Sequence, residues 1–179
     1  MINKNEMNNL IKNNTFVIID IETNGLNYEE DDIIELCAIK MKNGEIIDRY
    51  TSLCKPRLPI KKEIEQITGI TNDMVKLAPS SKEVVENFLK FVEDAILVGY
   101  NISFEVNFIN RIANNENYAI NNKTIDCLEY VKKLYPNLKN YKMNSSLNAM
   151  GFEILDDYSC ISSAQAITKM FLKIIDLLS

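Results

Sequence analysis

The order of the apolar runs constrains this chain most. Three runs of strand length come first. Thr15–Ile21 (TFVIIDI) is mostly apolar with an acid near its end, as expected of a buried strand. Ile33–Met41 is a second, and Glu45–Leu53 returns after Lys42-Asn43-Gly44, a turn because Asn-Gly readily takes positive φ. This spacing predicts an antiparallel meander. Beyond Pro56 and Pro59 the pattern alternates. Helices are expected over Ile60–Ile67 (ended by Thr68-Gly69-Ile70-Thr71), from a Ser80 or Ser81 cap through about Asp94, and over Ser103–Asn114. Three more follow: Cys127–Leu134, stopped ahead of Pro136, then Ser145–Met150 and Ser159–Leu178. Short strands fall at Ala95–Val98 and Thr124–Asp126. Val84, Val85, Phe88, Leu89 and Val92 form a core stripe at helical spacing. The sum is an α/β domain, a mixed five-stranded sheet with helices packed on it. Residues 1–14 read as a flexible or short helical start and 15–179 as one domain, since 179 residues are too few for two ordinary ones.

Composition removes several chemistries. The chain has no histidine, so a His-based triad, a His general base and His metal ligands are excluded. Its four cysteines, Cys37, Cys54, Cys127 and Cys160, form no CxxC pair. That spacing argues against a zinc cluster, and they are expected as small, reduced, buried side chains. The net charge of -5 argues against a broad basic surface for duplex DNA. No apolar run is long enough to cross a membrane and no signal-peptide core is visible, so a cytoplasmic location is expected.

Asp20 and Glu22 stand at i and i+2 at the end of the first strand. That spacing puts both side chains on one face, about 7 Å apart along the strand. They repel unless a cation lies between them. A hard divalent ion such as Mg²⁺ takes such oxygen ligands. Thr23-Asn24-Gly25 then turns the chain away.

The segments FVIIDIETNGLN, DDIIELCAI, NGEIIDRYTSLCKP, ITGITNDMV, LVGYNISFEVNFIN and TIDCLEYVKKLYPNLKNYKMNSSLNAMGFEI occur in that order. Together they resemble the DnaQ-like 3′–5′ exonucleases, most closely the proofreading exonuclease domain of bacterial replicative DNA polymerases of the PolC type. The resemblance covers Thr15 to the end. It implies a ribonuclease H-like fold with helices on both faces of the sheet. It also implies a two-metal mechanism using Mg²⁺ or Mn²⁺ held by four carboxylates, with a His or Tyr acting on the attacking water. The implied substrate is a single-stranded or frayed 3′ DNA end and the implied partner a polymerase. No 2′-hydroxyl sensor is legible, so RNA stays open as a substrate.

The resemblance carries over unevenly. Asp20 and Glu22 match its first acid pair intact and are the expected metal ligands. Glu105 stands where Asp is the rule, after Tyr100 and Asn101. Tyr158 replaces the His and Ser163 replaces the fourth acid. Asp126 keeps a strand-to-helix position outside the metal quartet. By the same resemblance Ile21, Thr23, Gly25 and Leu26 line the terminal nucleotide, Ile67, Thr68 and Ile70 pack beside its base, and Asn101 and Phe104 complete the pattern. A helix core role suits Phe104 equally well. Tyr141 and Lys142 could touch phosphate, although a solvated loop is the commoner fate of such residues.

The substitutions weigh differently. Glu for Asp moves a carboxylate by about 1.5 Å, and a misplacement of about 1 Å can cost on the order of 10²-fold. Ser163 is neutral and a poor ligand for a hard cation. Tyr158 cannot act as a base near neutrality, since phenol titrates near 10. Its spacing of five to Ser163, against four in the Tyr subfamily, turns it by about 100° on a helix. Asp156 or Asp157 could swing in as a surrogate ligand. Weak or absent catalysis is therefore expected, with single or partial metal occupancy. The alternative is a non-catalytic binding or interaction module.

Overall fold

The computed structural model describes residues 4–114, 120–154, 156–157 and 159–178. A short helix, α1 (Lys4–Asn13), precedes the meander β1 (Thr15–Thr23), β2 (Ile33–Lys42) and β3 (Glu45–Leu53). Asn43 and Gly44 both take positive φ (53° and 81°), the turn that the Asn-Gly pair predicts. There follow α2 (Lys62–Thr68), α3 (Asn72–Val75), α4 (Ser81–Val92), β4 (Ile96–Gly99), α5 (Ser103–Asn114), β5 (Thr124–Asp126), α6 (Cys127–Leu134), α7 (Met143–Ala149) and α8 (Cys160–Leu178).

The five strands form one mixed sheet in the order β3-β2-β1-β4-β5. β1 pairs antiparallel with β2 and parallel with β4, and β4 pairs parallel with β5. Strand parity sorts the core into two layers. Phe16 and Ile18, with Cys37, Ile39 and Met41 of β2, face α6, α7 and α8. Val17, Ile19 and Ile21, with Leu36 and Ala38, face α4 and α5. Helices thus cover both faces, as the resemblance implies. Phe16 against Phe171 anchors the first layer, with ring centroids 5.1 Å apart. β3 closes one edge and is largely exposed; its Glu45, Asp48 and Arg49 discourage edge-to-edge pairing.

Several helices differ from the sequence reading, and α7, for one, runs Met143–Ala149 rather than Ser145–Met150. α2 begins at Lys62 rather than Ile60, because Ile60 is buried and its N–H donates to the Asn72 Oδ1 (2.8 Å). α3 was not anticipated; Thr71, at the end of the TGIT run, caps it by accepting from the Met74 N–H (3.3 Å). α4 stops two residues early because Glu93 turns to positive φ (54°) and donates its N–H to the Leu89 carbonyl. No helix among the described residues is long and apolar enough to cross a membrane.

Candidate active site

The end of β1 carries the first acids. Asp20 and Glu22 share the parity of Phe16 and Ile18, so they project from the α8 face of the sheet. On β2, Cys37 lies opposite Asp20 and Glu35 opposite Glu22; a register shift follows between Glu22 and Thr23. The N-terminus of α8 lies over this corner, where the Cys160 thiol donates to the Asp20 carbonyl (3.0 Å). Ser163, one turn further along α8, is buried.

The loop after β1 is tightly closed. Asn24 and Asp32 pair through Asn24 N–H to the Asp32 carbonyl (3.0 Å) and Asp32 N–H to the Asn24 Oδ1 (2.7 Å). Thr23 donates its hydroxyl to the Gly25 carbonyl (2.6 Å). A Cβ at Gly25 would displace the Asp31 carboxyl, whose Oδ2 accepts from the Asn27 N–H (2.8 Å).

The third acid comes from the first turn of α5. Asn101 enters that helix at φ 68° and donates its N–H to the Asp126 Oδ1 (2.9 Å). The same Asp126 oxygen caps α6 by accepting from the Leu128 N–H (2.9 Å). Asp126 thus joins the starts of two helices. Glu105 is 4% exposed, and its Oε2 has no hydrogen-bond partner among the described residues. Phe104 stacks on Phe108 (centroids 5.0 Å) and serves the helix core.

These carboxyls hold their protons unusually tightly. Burial first, then the neighbouring Glu22, pushes the Asp20 pKa well up. Burial and then Asp20 do the same to Glu105. Glu22 is pushed up to about 7 by burial and by Glu35. Glu35 is itself raised by burial. Acids packed together with no counter-charge acting on them among the described residues, one with an orphaned oxygen, suit a divalent cation that neutralises them. The donor types therefore suit the metal that the resemblance implies, with Asp20, Glu22 and Glu105 as the oxygens that would move together to hold it; as they stand, these oxygens are not gathered within 4.8 Å of one another.

The shift at Glu22 predicts a pH dependence. Its folded pKa of about 7 exceeds its ordinary 4.5, so between these values the folded state keeps a proton that the unfolded state has lost. Stability of the metal-free chain should therefore fall as pH rises through this window, by up to about 3 kcal/mol from Glu22. Below it the penalty is absent. Asp20 and Glu105 act in the same direction. Urea unfolding at pH 5 and pH 8 in chelator checks this, and Mn²⁺ should restore stability at the higher pH. Greater metal-free stability at pH 8 would refute it.

Other expected site residues have mixed fates. The Ile21 and Ile70 side chains are buried in the core, 6% and 4% exposed, so only their backbone can line a substrate. Leu26 and Ile67 are open, at 83% and 69%. The Thr68 hydroxyl donates to the Ile64 carbonyl (2.9 Å) within α2. Tyr141 and Lys142 sit beside α7; the Tyr141 carbonyl accepts from the Tyr100 hydroxyl (2.6 Å). Tyr158 lies outside the described residues. Asp157 is engaged in an Asx turn ahead of α8, accepting from the Ser159 N–H (2.9 Å) and hydroxyl (2.8 Å), which lowers its pKa. That employment argues against the surrogate-ligand role.

Sequence reasoning passed over Glu35. The signal was present: it is the one acid within the apolar run Ile33–Ile39, at the parity of Cys37 and Ile39. What was missing was the register that sets it opposite Glu22.

A mixed sheet in this order, with acids at the ends of β1 and at the start of α5, is the framework of a nuclease domain. The chain belongs to the exonuclease family, whose model matches residues 17–159. The PolC-type DNA polymerase III of Caldanaerobacter subterraneus subsp. tengcongensis is 37% identical over 161 residues, covering 90% of this chain and 12% of that protein. The PolC-type enzyme of Bacillus subtilis is 35% identical over 173 residues, covering 96% of this chain and again 12% of the relative. The chain thus spans about 12% of the length of these curated relatives. Among solved structures, E. coli exonuclease I in complex with a dT13 oligonucleotide superposes with a TM-score of 0.78 at 19% identity. The match covers 91% of this chain and 41% of that one. At this identity the likeness establishes the fold.

Proposed function

We propose that this is a 3′–5′ exonuclease-family domain that acts on single-stranded or frayed 3′ DNA ends through a degenerate site, and so cleaves slowly or not at all. One observation supports the reading: Ser163 on α8, the position that the resemblance aligns with the fourth acid, is buried and neutral. Asp20, Glu22 and Glu105 remain to hold Mg²⁺ or Mn²⁺, and with one ligand charge missing, occupancy is single or partial. When bound, such ions supply an activated water and stabilise the leaving 3′-oxygen. The chain's own part is to position. The loop closed by Asn24 and Asp32 presents Thr23, Gly25 and Leu26 to the terminal nucleotide, while Ile67, Thr68, Asn101 and Phe104 flank it. Single-stranded DNA as ligand is supported by the oligonucleotide complex of the E. coli enzyme, and association with a polymerase by the PolC relatives.

The test pairs calorimetry with an assay. Titration with Mn²⁺ and a nucleoside monophosphate should show at most one tightly held ion. A 3′-labelled single strand should shorten slowly or not at all. Two fully occupied ions, or turnover on the order of 1–10³ s⁻¹, would overturn the degenerate-site reading. DNA binding without any cleavage would make this chain a binding module built on a nuclease fold.

A further inference from the structure

The cysteines take no part in that reading, yet two of them stand at its edge. Among the described residues, one group of three or more acid or thiol side chains brings its ligand atoms within 4.8 Å of one another: Glu35, Cys37 and Cys160. Glu35 and Cys37 are i and i+2 on β2 and face the same side. Cys160 opens α8 and reaches across from above. Both thiols are fully buried and free of disulfides, while Glu35 is partly exposed and gives an ion its way in.

We propose that Glu35, Cys37 and Cys160 form a second cation site, adjoining the Asp20–Glu22–Glu105 corner but with its own ligands, and selective for a thiophilic divalent ion of the Zn²⁺ class. Two sulfurs and one carboxylate are a borderline-soft donor set that favours Zn²⁺ over Mg²⁺, whereas the neighbouring all-oxygen set has the opposite preference. Three protein ligands leave a fourth, tetrahedral position for water. Binding releases both thiol protons to solvent, and Cys160 gives up its bond to the Asp20 carbonyl. Two thiolates, one carboxylate and the divalent ion leave one net negative charge. Because the ligands come from β2 and α8, the ion ties the helix to the sheet and stabilises the fold. The inference does not depend on nuclease activity.

Cobalt is the probe, because thiolate ligation gives a charge-transfer band in the near ultraviolet that oxygen ligands do not. The full chain, metal-free and in reductant, should develop that band with one equivalent of Co²⁺. Zn²⁺ should abolish it stoichiometrically, and excess Mg²⁺ should not. Cys37→Ser and Cys160→Ser should each lose the band. Glu35→Gln should keep the fold and weaken Zn²⁺ binding by roughly tenfold or more. Asp20→Asn should retain the band, and Zn²⁺ should raise the melting temperature of the wild type. The proposal is overturned if no band appears, if it survives either serine variant, or if it vanishes in Asp20→Asn. Unchanged Zn²⁺ affinity in folded Glu35→Gln overturns it even where the serine variants fail to fold. So does a two-proton mass loss in place of metal uptake when the titration is repeated without reductant under argon, which would mean that the thiols pair with each other.

Discussion

The double variant Ser163→Asp with Tyr158→His should degrade a single-stranded 3′ end faster than the wild type by about 10²–10⁴-fold, the usual worth of a general base. The first change supplies a carboxylate on the buried face of α8, close to where Cys160 meets the Asp20 backbone. On the proposed reading it adds the anionic ligand that a two-ion site would need at this position. The second supplies a group that titrates near neutrality to a chain with no histidine at all. Each alone should recover little: Ser163→Asp holds an ion without a base, and Tyr158→His places a base over poorly held water. Their effects should therefore couple, since both act on one water. Adding Asp20→Ala should abolish the gain. A restored protein that is no faster than the wild type would mean that the backbone of the site has drifted, and would favour the binding-module reading.

Much of this framework was readable in advance because it rests on local rules. The Asn43-Gly44 turn dictates the β2–β3 hairpin, and strand parity alone puts Asp20 and Glu22 on one face. What was not readable depends on contacts between distant residues. Glu35 faces Glu22 only because the antiparallel register brings Leu36 opposite Ile21. Cys37 and Cys160 are 123 positions apart in sequence and meet only when α8 closes over β2. Their spacing carried no metal signal, because such signals are recognised from ligands close together in the chain. Asp157 depends on a more local contact. A free loop acid and one held in an Asx turn look alike in sequence, and the difference here is the Ser159 N–H that donates to the carboxylate.

Asp32 was likewise invisible as more than a loop residue, yet its replacement should be the most destabilising single change in the acid corner. Its carboxylate is 2% exposed and bound from two directions. Oδ2 accepts from the Arg57 N–H (2.8 Å) and Oδ1 from the Arg57 Nε (2.9 Å) and an Arg111 Nη (3.2 Å). One side chain thus fastens the loop after β1, the segment ahead of α2, and α5, which carries Glu105. Asp32→Ala leaves Arg111, only 17% exposed, without its counter-ion and with its Nε already unpaired among the described residues. Breaking a buried pair from one side costs about 3–5 kcal/mol. Arg57 is 60% exposed and can turn to water, so about 3 kcal/mol is expected. That should lower the melting temperature by roughly 10 °C in a chain of this size. Asp32→Asn keeps an oxygen for the Arg57 N–H and should lose less than half as much. Arg57→Ala should cost little, and in a double-mutant cycle Asp32 should couple more strongly to Arg111 than to Arg57. Urea denaturation of these three variants, of Arg111→Ala and of the two double variants with Asp32→Ala measures this. A loss below about 1 kcal/mol for Asp32→Ala would place the pair among the weak surface bridges and remove its part in fixing Glu105 against the β1 loop.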